Sequence, residues 1–328
     1  MRARGPWAPT VVILRALGLG DFLTGVPALR AVARAFPDHR RVLAAPPALV
    51  PLVAHVGAVH AVAPTAGLGA LPAALGGPEV AIDLHGRGPG SQPLLVALNP
   101  RRLVAFAHPA VPATAGGPRW KADEHEVARW CRLLTESGIA ADPADLAIRP
   151  PGPPPAGAAG ATVIHPGAAS PARRWPPARF AAVAASERAA GRRVLVTGSA
   201  TERPIAMAVA EGAALPPGDV IAGQTDLLEL ASVVAGAGRV VSGDTGVAHL
   251  ATALGTPSVV LCGPVPPALW GPPPGNRHIA LWAGECGDPH GARPHPGLLR
   301  ISVTDVLAAL ERLPLPAGRD QSLPRPAY

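Results

Sequence analysis

Lysine is nearly missing from this chain. Lys121 is the only lysine among 29 basic residues, and aromatic side chains make up just 3% of the 328 residues. A protein that grips nucleic acid combines a cationic stripe with aromatic platforms for the bases. Here the arginines stand in short pairs (Arg40–Arg41, Arg101–Arg102, Arg173–Arg174, Arg192–Arg193) without aromatic interleaving, so no nucleic-acid partner is expected. The formal charge of +7, with 43 prolines and 37 glycines, reads as GC-rich codon bias, as in a GC-rich bacterium. It leaves room for weak attraction to an anionic substrate or membrane surface. Cysteine is scarce as well: Cys131, Cys262 and Cys286 are too few and too scattered for a disulfide framework, which favours a reducing cytoplasm. Long apolar runs are absent. Val11–Leu19 is interrupted by Arg15, and nothing approaches the about 20 residues of a spanning helix, so a soluble protein is expected.

What is present is apolar material for buried cores. Hydrophobic residues make up 48% and charged residues 16%, which excludes intrinsic disorder, and the length suggests two domains. The pattern alternates. Val11–Leu14 is a short continuous apolar run, as in a strand buried on both faces, and Phe22, Val26, Leu29, Val32 and Ala33 then recur at helical spacing. Strands follow at Val42–Ala45 and Val80–Leu84, a helix at Leu94–Leu98, an apolar run at Leu103–Phe106 and a helix at Glu126–Thr135. The proline-rich stretch Pro150–Gly157 can sustain neither helix nor ladder and reads as a linker. Beyond it the alternation restarts: strand Thr162–His165, helix Ala178–Ala190, strand Arg193–Thr197, helices Glu202–Glu211 and Leu227–Ala235, strand Arg239–Ser242, helix Val247–Leu254 and strand Ser258–Cys262, which closes the series. The expected architecture is α/β, with two doubly wound, Rossmann-like halves facing across a cleft. The first half is expected over residues 1–152 and the second over 153–313, with a frayed tail at 314–328. A C-terminal helix around 303–312 has the option of crossing back to the first half.

Several strand ends could carry chemistry. Gly18-Leu19-Gly20-Asp21 is not a dinucleotide fingerprint, because the third glycine falls at Gly25 and the acidic Asp38 precedes the second strand. Either Asp21 is a general base lifted on a glycine turn, or it is the N-cap of the next helix. His165-Pro166-Gly167-Ala168-Ala169-Ser170 offers backbone amides to an anion, with the guanidinium of Arg173 close behind; alternatively it is a polar surface loop with Trp175 as a core anchor. Thr197-Gly198-Ser199 closes the next strand in the same manner, and Glu202 either joins that site or merely opens a helix. Ser242-Gly243-Asp244-Thr245-Gly246-Val247-Ala248-His249 follows a strand and opens a helix, so its amides and His249 suit an anion, with Asp244 a contact residue or an N-cap. Neither a Walker-type phosphate loop nor a nucleophile elbow is present. Cys286, His290 and His295 share a Gly/Pro loop but lack the second pair of a standard zinc site, so no metal is expected.

Taken in order, these segments resemble glycosyltransferase family 9, the ADP-heptose:lipopolysaccharide heptosyltransferase family. The resemblance is carried by Leu14–Arg30, Asp83-Leu84-His85-Gly86-Arg87-Gly88, His165-Pro166-Gly167-Ala168, Arg174-Trp175-Pro176, Asp244-Thr245-Gly246, His249-Leu250-Ala251, Leu254-Gly255-Thr256-Pro257 and Gly263-Pro264. It implies a GT-B fold whose first half binds the acceptor and whose second half binds the nucleotide sugar. It also implies an inverting, metal-independent transfer, with no cofactor, of a heptose-like sugar from a nucleotide-diphosphate donor, adenine being the favoured base, to a cell-envelope or other glycan acceptor. By position, the family's base falls on Asp21 and its phosphate-binding lysine on Arg173, which keeps the charge. Nucleotide contacts fall on Ala168, Ala169, Glu202, Thr225, Thr245, Gly246 and His249. Ala169 stands where relatives often have a hydroxyl, and Gly297 where they often have cysteine. Adding the residues read from the turns themselves gives a donor-binding set of Gly20, Ala168, Ala169, Thr197, Gly198, Glu202, Thr225, Asp244, Thr245, Gly246 and His249, with Asp21 and Arg173 catalytic. Arg87 is a weaker candidate for a glycan or lipid-linked acceptor. The expected place of work is the cytoplasm, at the inner face of the membrane if the acceptor is lipid-linked. Two rivals are a non-catalytic nucleotide-sugar-binding homologue and a nicotinamide oxidoreductase, the latter disfavoured by the failed fingerprint.

Overall fold

The computed structural model describes residues 9–314. The chain packs as two compact units. The first comprises the residues up to Pro151 together with 226–228 and 268–270; the second comprises 152–225, 229–267 and the residues from 271 on. The expected tail falls on 314–328, of which 315–328 lie outside the described residues.

In the first unit, β1 (Thr10–Leu14), α1 (Leu19–Thr24), α2 (Val26–Ala35), β2 (Arg40–Ala45), α3 (Val50–Val56), β3 (Ala61–Pro64), β4 (Val80–Asp83), α4 (Gln92–Val96), β5 (Arg102–Val104) and α5 (Glu126–Glu136) follow in order. The sheet is parallel with order β3-β2-β1-β4-β5. Val11–Leu14 are fully buried, as a central parallel strand requires. The chain runs β1 to β2 to β3 outward on one side, then returns to place β4 on the other side of β1. The single helix expected from Phe22 is instead two, broken at Gly25. A Cβ there would come within 2.9 Å of the Arg15 side chain, so the break is where a buried arginine passes. β3 escaped the sequence reading because it is a short, half-exposed edge strand ending in Pro64.

The second unit contains β6 (Thr162–His165), α6 (Pro177–Ala189), β7 (Val194–Val196), α7 (Arg203–Gly212), α8 (Leu227–Gly236), β8 (Arg239–Gly243), α9 (Gly246–Leu254), β9 (Ser258–Cys262), α10 (Pro267–Trp270), β10 (His278–Trp282), α11 (Pro296–Arg300) and α12 (Val303–Arg312). Residues 226–228, at the start of α8, and 268–270 of α10 group with the first unit. The order is β10-β9-β8-β6-β7, again all parallel, and again reversing direction beside its first strand, between β6 and β8. The strand series does not close at β9: the half-buried edge strand β10 pairs with it. Trp175 is fully buried, stacks edge-on against Phe180 and donates from Nε1 to the Ile301 carbonyl at 3.0 Å, so it is the core anchor. α12 does not cross back; it packs on α6, β9 and β10, with Val306, Ala309 and Leu310 in the second unit's core. The proline-rich stretch is no free spacer beyond Pro151. Pro154 lies against Gly236, and the Gly160 N–H donates to the Gly236 carbonyl at 2.9 Å.

Candidate active site

In open parallel sheets ligands gather at the carboxyl ends of the strands, where strand order reverses. Each unit has one such point, and the predicted residues sit on both.

In the second unit the ends of β7, β6 and β8 lie on one edge of adjacent strands, which brings Ala168, Ala169, Thr197, Gly198, Gly243 and Asp244 onto that edge. Arg173 closes a 3₁₀ turn whose neighbour Ser170 accepts from the Ala172 N–H at 3.3 Å. The turn rests on the end of β8 and on Gly263 after β9, since a Cβ at Gly243 would stand 2.9 Å from the Arg173 carbonyl and one at Gly263 would stand 3.3 Å from that of Ala172. The guanidinium reaches the Asp244 carbonyl through Nη1 at 3.4 Å. Its Nε is buried and, among the described residues, has no hydrogen-bond partner, and the same holds for Thr245 Oγ1 and Ser242 Oγ. Thr245 is the residue before α9, and its hydroxyl makes no capping bond. Asp244 is therefore not the N-cap. Its buried carboxyl is pushed up to about 6 by burial, an effect opposed by the Arg173 charge, and its Oδ1 lies 3.8 Å from Nε2 of His249. Among the described residues the Gly246 and Val247 amides donate to no carbonyl. A cation with an unmet donor, an unmet hydroxyl and two free amides thus meet at one helix start, an arrangement suited to an anion.

Glu202 lies across the neighbouring strand ends. It does cap a helical turn, accepting the Ser199 N–H at 2.8 Å and the Ser199 hydroxyl at 2.9 Å. It also occupies the space over Gly167, where any Cβ would collide with its carboxylate. His165 Nδ1 pairs with Thr197 Oγ1 at 3.1 Å, and burial holds this imidazole below its ordinary range. Thr225 follows Gly223, whose N–H bonds the Gly198 carbonyl at 2.9 Å, so the 222–225 loop borders the same edge. The loop with Cys286, His290 and His295 has another use: Gly291 accepts the Ala172 N–H, and the His295 N–H donates to the Ala172 carbonyl at 3.2 Å, so it buttresses the Arg173 turn. Among the described residues no three His, Cys, Asp or Glu side chains gather as a metal site.

In the first unit Asp21 is not an N-cap. Gly18 holds that position, and Asp21 is the third residue of α1, with Gly20 beside it, its Oδ2 within 3.7 Å of where a Gly18 Cβ would stand. Arg87 is exposed, four residues beyond the end of β4.

Arg15 went unread as a site residue. It is fully buried at the end of β1 and donates to the Asp21 carbonyl, the Leu84 carbonyl, Thr24 Oγ1 at 3.0 Å and Glu126 Oε1 at 3.2 Å. Glu126 also binds Arg129 and accepts from Trp130 Nε1 at 2.7 Å. An arginine ending a wholly buried apolar strand was the signal available in the sequence.

Two parallel, doubly wound α/β units are the two halves of a GT-B fold, and solved structures agree. A glycosyl transferase family 9 structure from Veillonella parvula matches with a TM-score of 0.76 at 19% identity, covering 94% of this chain and 98% of its own. The Escherichia coli ADP-heptose lps heptosyltransferase II matches with a TM-score of 0.72 at 20% identity, covering 92% and 97%. Residues 119–290, more than half of the chain, match the model of glycosyltransferase family 9 (heptosyltransferase), and the chain belongs to that family. It is 30% identical over 157 residues to lipopolysaccharide heptosyltransferase 3 of Escherichia coli, a stretch covering 46% of each chain and so less than half of that relative's length. Among the described residues no helix is long and apolar enough to cross a membrane.

Proposed function

We propose that this chain is an inverting glycosyltransferase that moves a heptose-like sugar from an ADP-linked donor to a cell-envelope glycan acceptor. The observation that carries the donor half is the unpartnered buried Nε of Arg173, beside the unpartnered Thr245 hydroxyl and the first amides of α9. A buried polar group without a partner is costly, and a diphosphate supplies the missing acceptor oxygens. The names of the relatives, which specify ADP-heptose and lipopolysaccharide, supply the sugar and the acceptor class.

In this reading Asp21 takes the proton from the attacking hydroxyl. The acceptor oxygen then bonds to the anomeric carbon as the bond to the diphosphate oxygen breaks, which inverts the configuration. Arg173, the Gly246 and Val247 amides and His249 receive the charge of the departing ADP, a task that a metal performs in other transferases, so we expect no cofactor. Glu202, Thr197, Gly198, Thr225, Ala168 and Ala169 lie on the nucleotide side of the same edge. With a lipid-linked acceptor, the enzyme would work at the inner face of the membrane without spanning it.

Calorimetry with ADP on the wild type and Arg173→Ala tests the donor site. A charged hydrogen bond contributes about 1.5–3 kcal/mol, so affinity should fall about 10- to 100-fold; equal affinity refutes the assignment. Binding of ADP-heptose without transfer or hydrolysis would instead identify a non-catalytic homologue.

A further inference from the structure

We propose that His85, at the reversal point of the first sheet, donates a hydrogen bond from Nε2 to an oxygen of the acceptor sugar. The inference rests on the transferase reading above and extends it to a residue with no assigned role.

The turn after β4 faces the turn after β1, because these neighbouring strands flank the point where strand order reverses. His85 is held there from three directions. Its Nδ1 accepts the Ala16 N–H at 3.2 Å, its own N–H donates to Asp83 Oδ1 at 2.9 Å, and the preceding Leu84 carbonyl is bound by Arg15. That same guanidinium holds the Asp21 carbonyl, so one buried side chain ties the His85 turn to the helix bearing the proposed base. Asp83 is fixed in turn by the Ser91 hydroxyl at 2.6 Å.

These bonds decide the chemistry of the ring. An Nδ1 that accepts from an amide leaves the single proton of a neutral imidazole on Nε2. Burial, and after it the charge of Arg15, holds the ring below its ordinary range, which keeps it neutral at pH 7. Nε2–H is thus a donor only. Among the described residues nothing engages it, although the ring is only half-buried, and the space beside Gly86 is open. A donor fixed in this way recognises a hydroxyl, ring or carboxylate oxygen, and it cannot compete with Asp21 for the proton of the attacking group. Exposed Arg87, two residues on, has no comparable fixing.

The test measures transfer from ADP-heptose to heptose-deficient lipopolysaccharide by the full chain and two variants. His85→Asn places an amide oxygen at Nδ1 and keeps the Ala16 bond, but has nothing at Nε2. His85→Gln places a donor near Nε2. A neutral hydrogen bond contributes about 1 kcal/mol, so His85→Asn should raise the acceptor KM about 5- to 10-fold with the donor KM unchanged, and His85→Gln should recover most of the loss. A wild-type acceptor KM in His85→Asn, or an equal rise in both KM values, overturns this inference alone. No transfer by the wild type overturns the transferase reading and this inference with it. A ¹⁵N spectrum placing the imidazole proton on Nδ1 at pH 7 overturns the inference without any turnover.

Discussion

The carbonyl oxygen of Arg173 stands 2.9 Å from the point a Cβ of Gly243 would occupy, so the backbone of the proposed phosphate-binding turn rests directly on the end of β8. The glycine is there for close approach, not for an unusual dihedral angle. Overpacking of this kind costs about 1–3 kcal/mol. Gly243→Ala should therefore push the Arg173 turn outward and weaken ADP binding at least several-fold, while the far-ultraviolet spectrum stays that of the wild type. Unchanged ADP affinity by calorimetry would mean that the position of Arg173 does not matter to the nucleotide.

Asp21→Asn separates base from scaffold. Asp21 is the third residue of α1, whose N-cap is Gly18, and asparagine keeps its size, so the variant should keep the helix. Removing a general base costs about 10²–10⁴-fold. Turnover should fall by that order with ADP affinity unchanged, and full activity in this variant would place the base elsewhere.

Glu126→Gln probes the buried clasp behind Asp21. The variant leaves Arg15 and Arg129 without their carboxylate in a water-excluded site. Breaking a buried ion pair costs about 3–5 kcal/mol, and a retained amide oxygen puts this change at the lower end. Urea unfolding should show the loss, and a variant as stable as the wild type would show that the arginines find water.

Asp83 makes stability depend on pH in the less usual direction. Burial pushes its carboxyl up to about 6, above the 3.8 of the free side chain. Between those values the folded state binds more protons than the unfolded state, so this group's contribution to stability falls as pH rises from about 4 to about 6 and is flat above. The total is about 3 kcal/mol. The difference in unfolding free energy between wild type and Asp83→Asn, followed from pH 4 to pH 8, should change along that window; parallel curves would refute the raised value.

Much was legible because it is local. Val11–Leu14, Val163-Ile164 and Val259–Cys262 are short apolar runs of the kind a strand covered on both faces uses, and they lie in β1, β6 and β9. Small-residue turns at Gly243–Gly246 and Pro166–Ala169 marked the strand ends at which the proposed donor site lies. The edge strands β3 and β10 were missed because half-exposed edges relax the demand for apolar residues. The capping role of aspartate, open for both Asp21 and Asp244, could not be settled from composition either: Gly18 and Thr245 hold those positions, and a cap is defined by where the backbone turns.

The sequence by itself determined the alternation of strands and helices, the family and the residue types at each strand end, since these follow from periodicity and from short motifs. Tertiary structure alone decided that Arg15 holds Asp21 and Leu84 together, that Gly243 seats Arg173, and that His85 Nδ1 accepts the Ala16 N–H. Each depends on partners 6 to about 70 residues apart, brought within bonding distance only because β1 pairs with β4 and β6 with β8. Hydrogen bonds and close packing act over about 3 Å, and no spacing rule along the chain specifies which distant groups that distance will join.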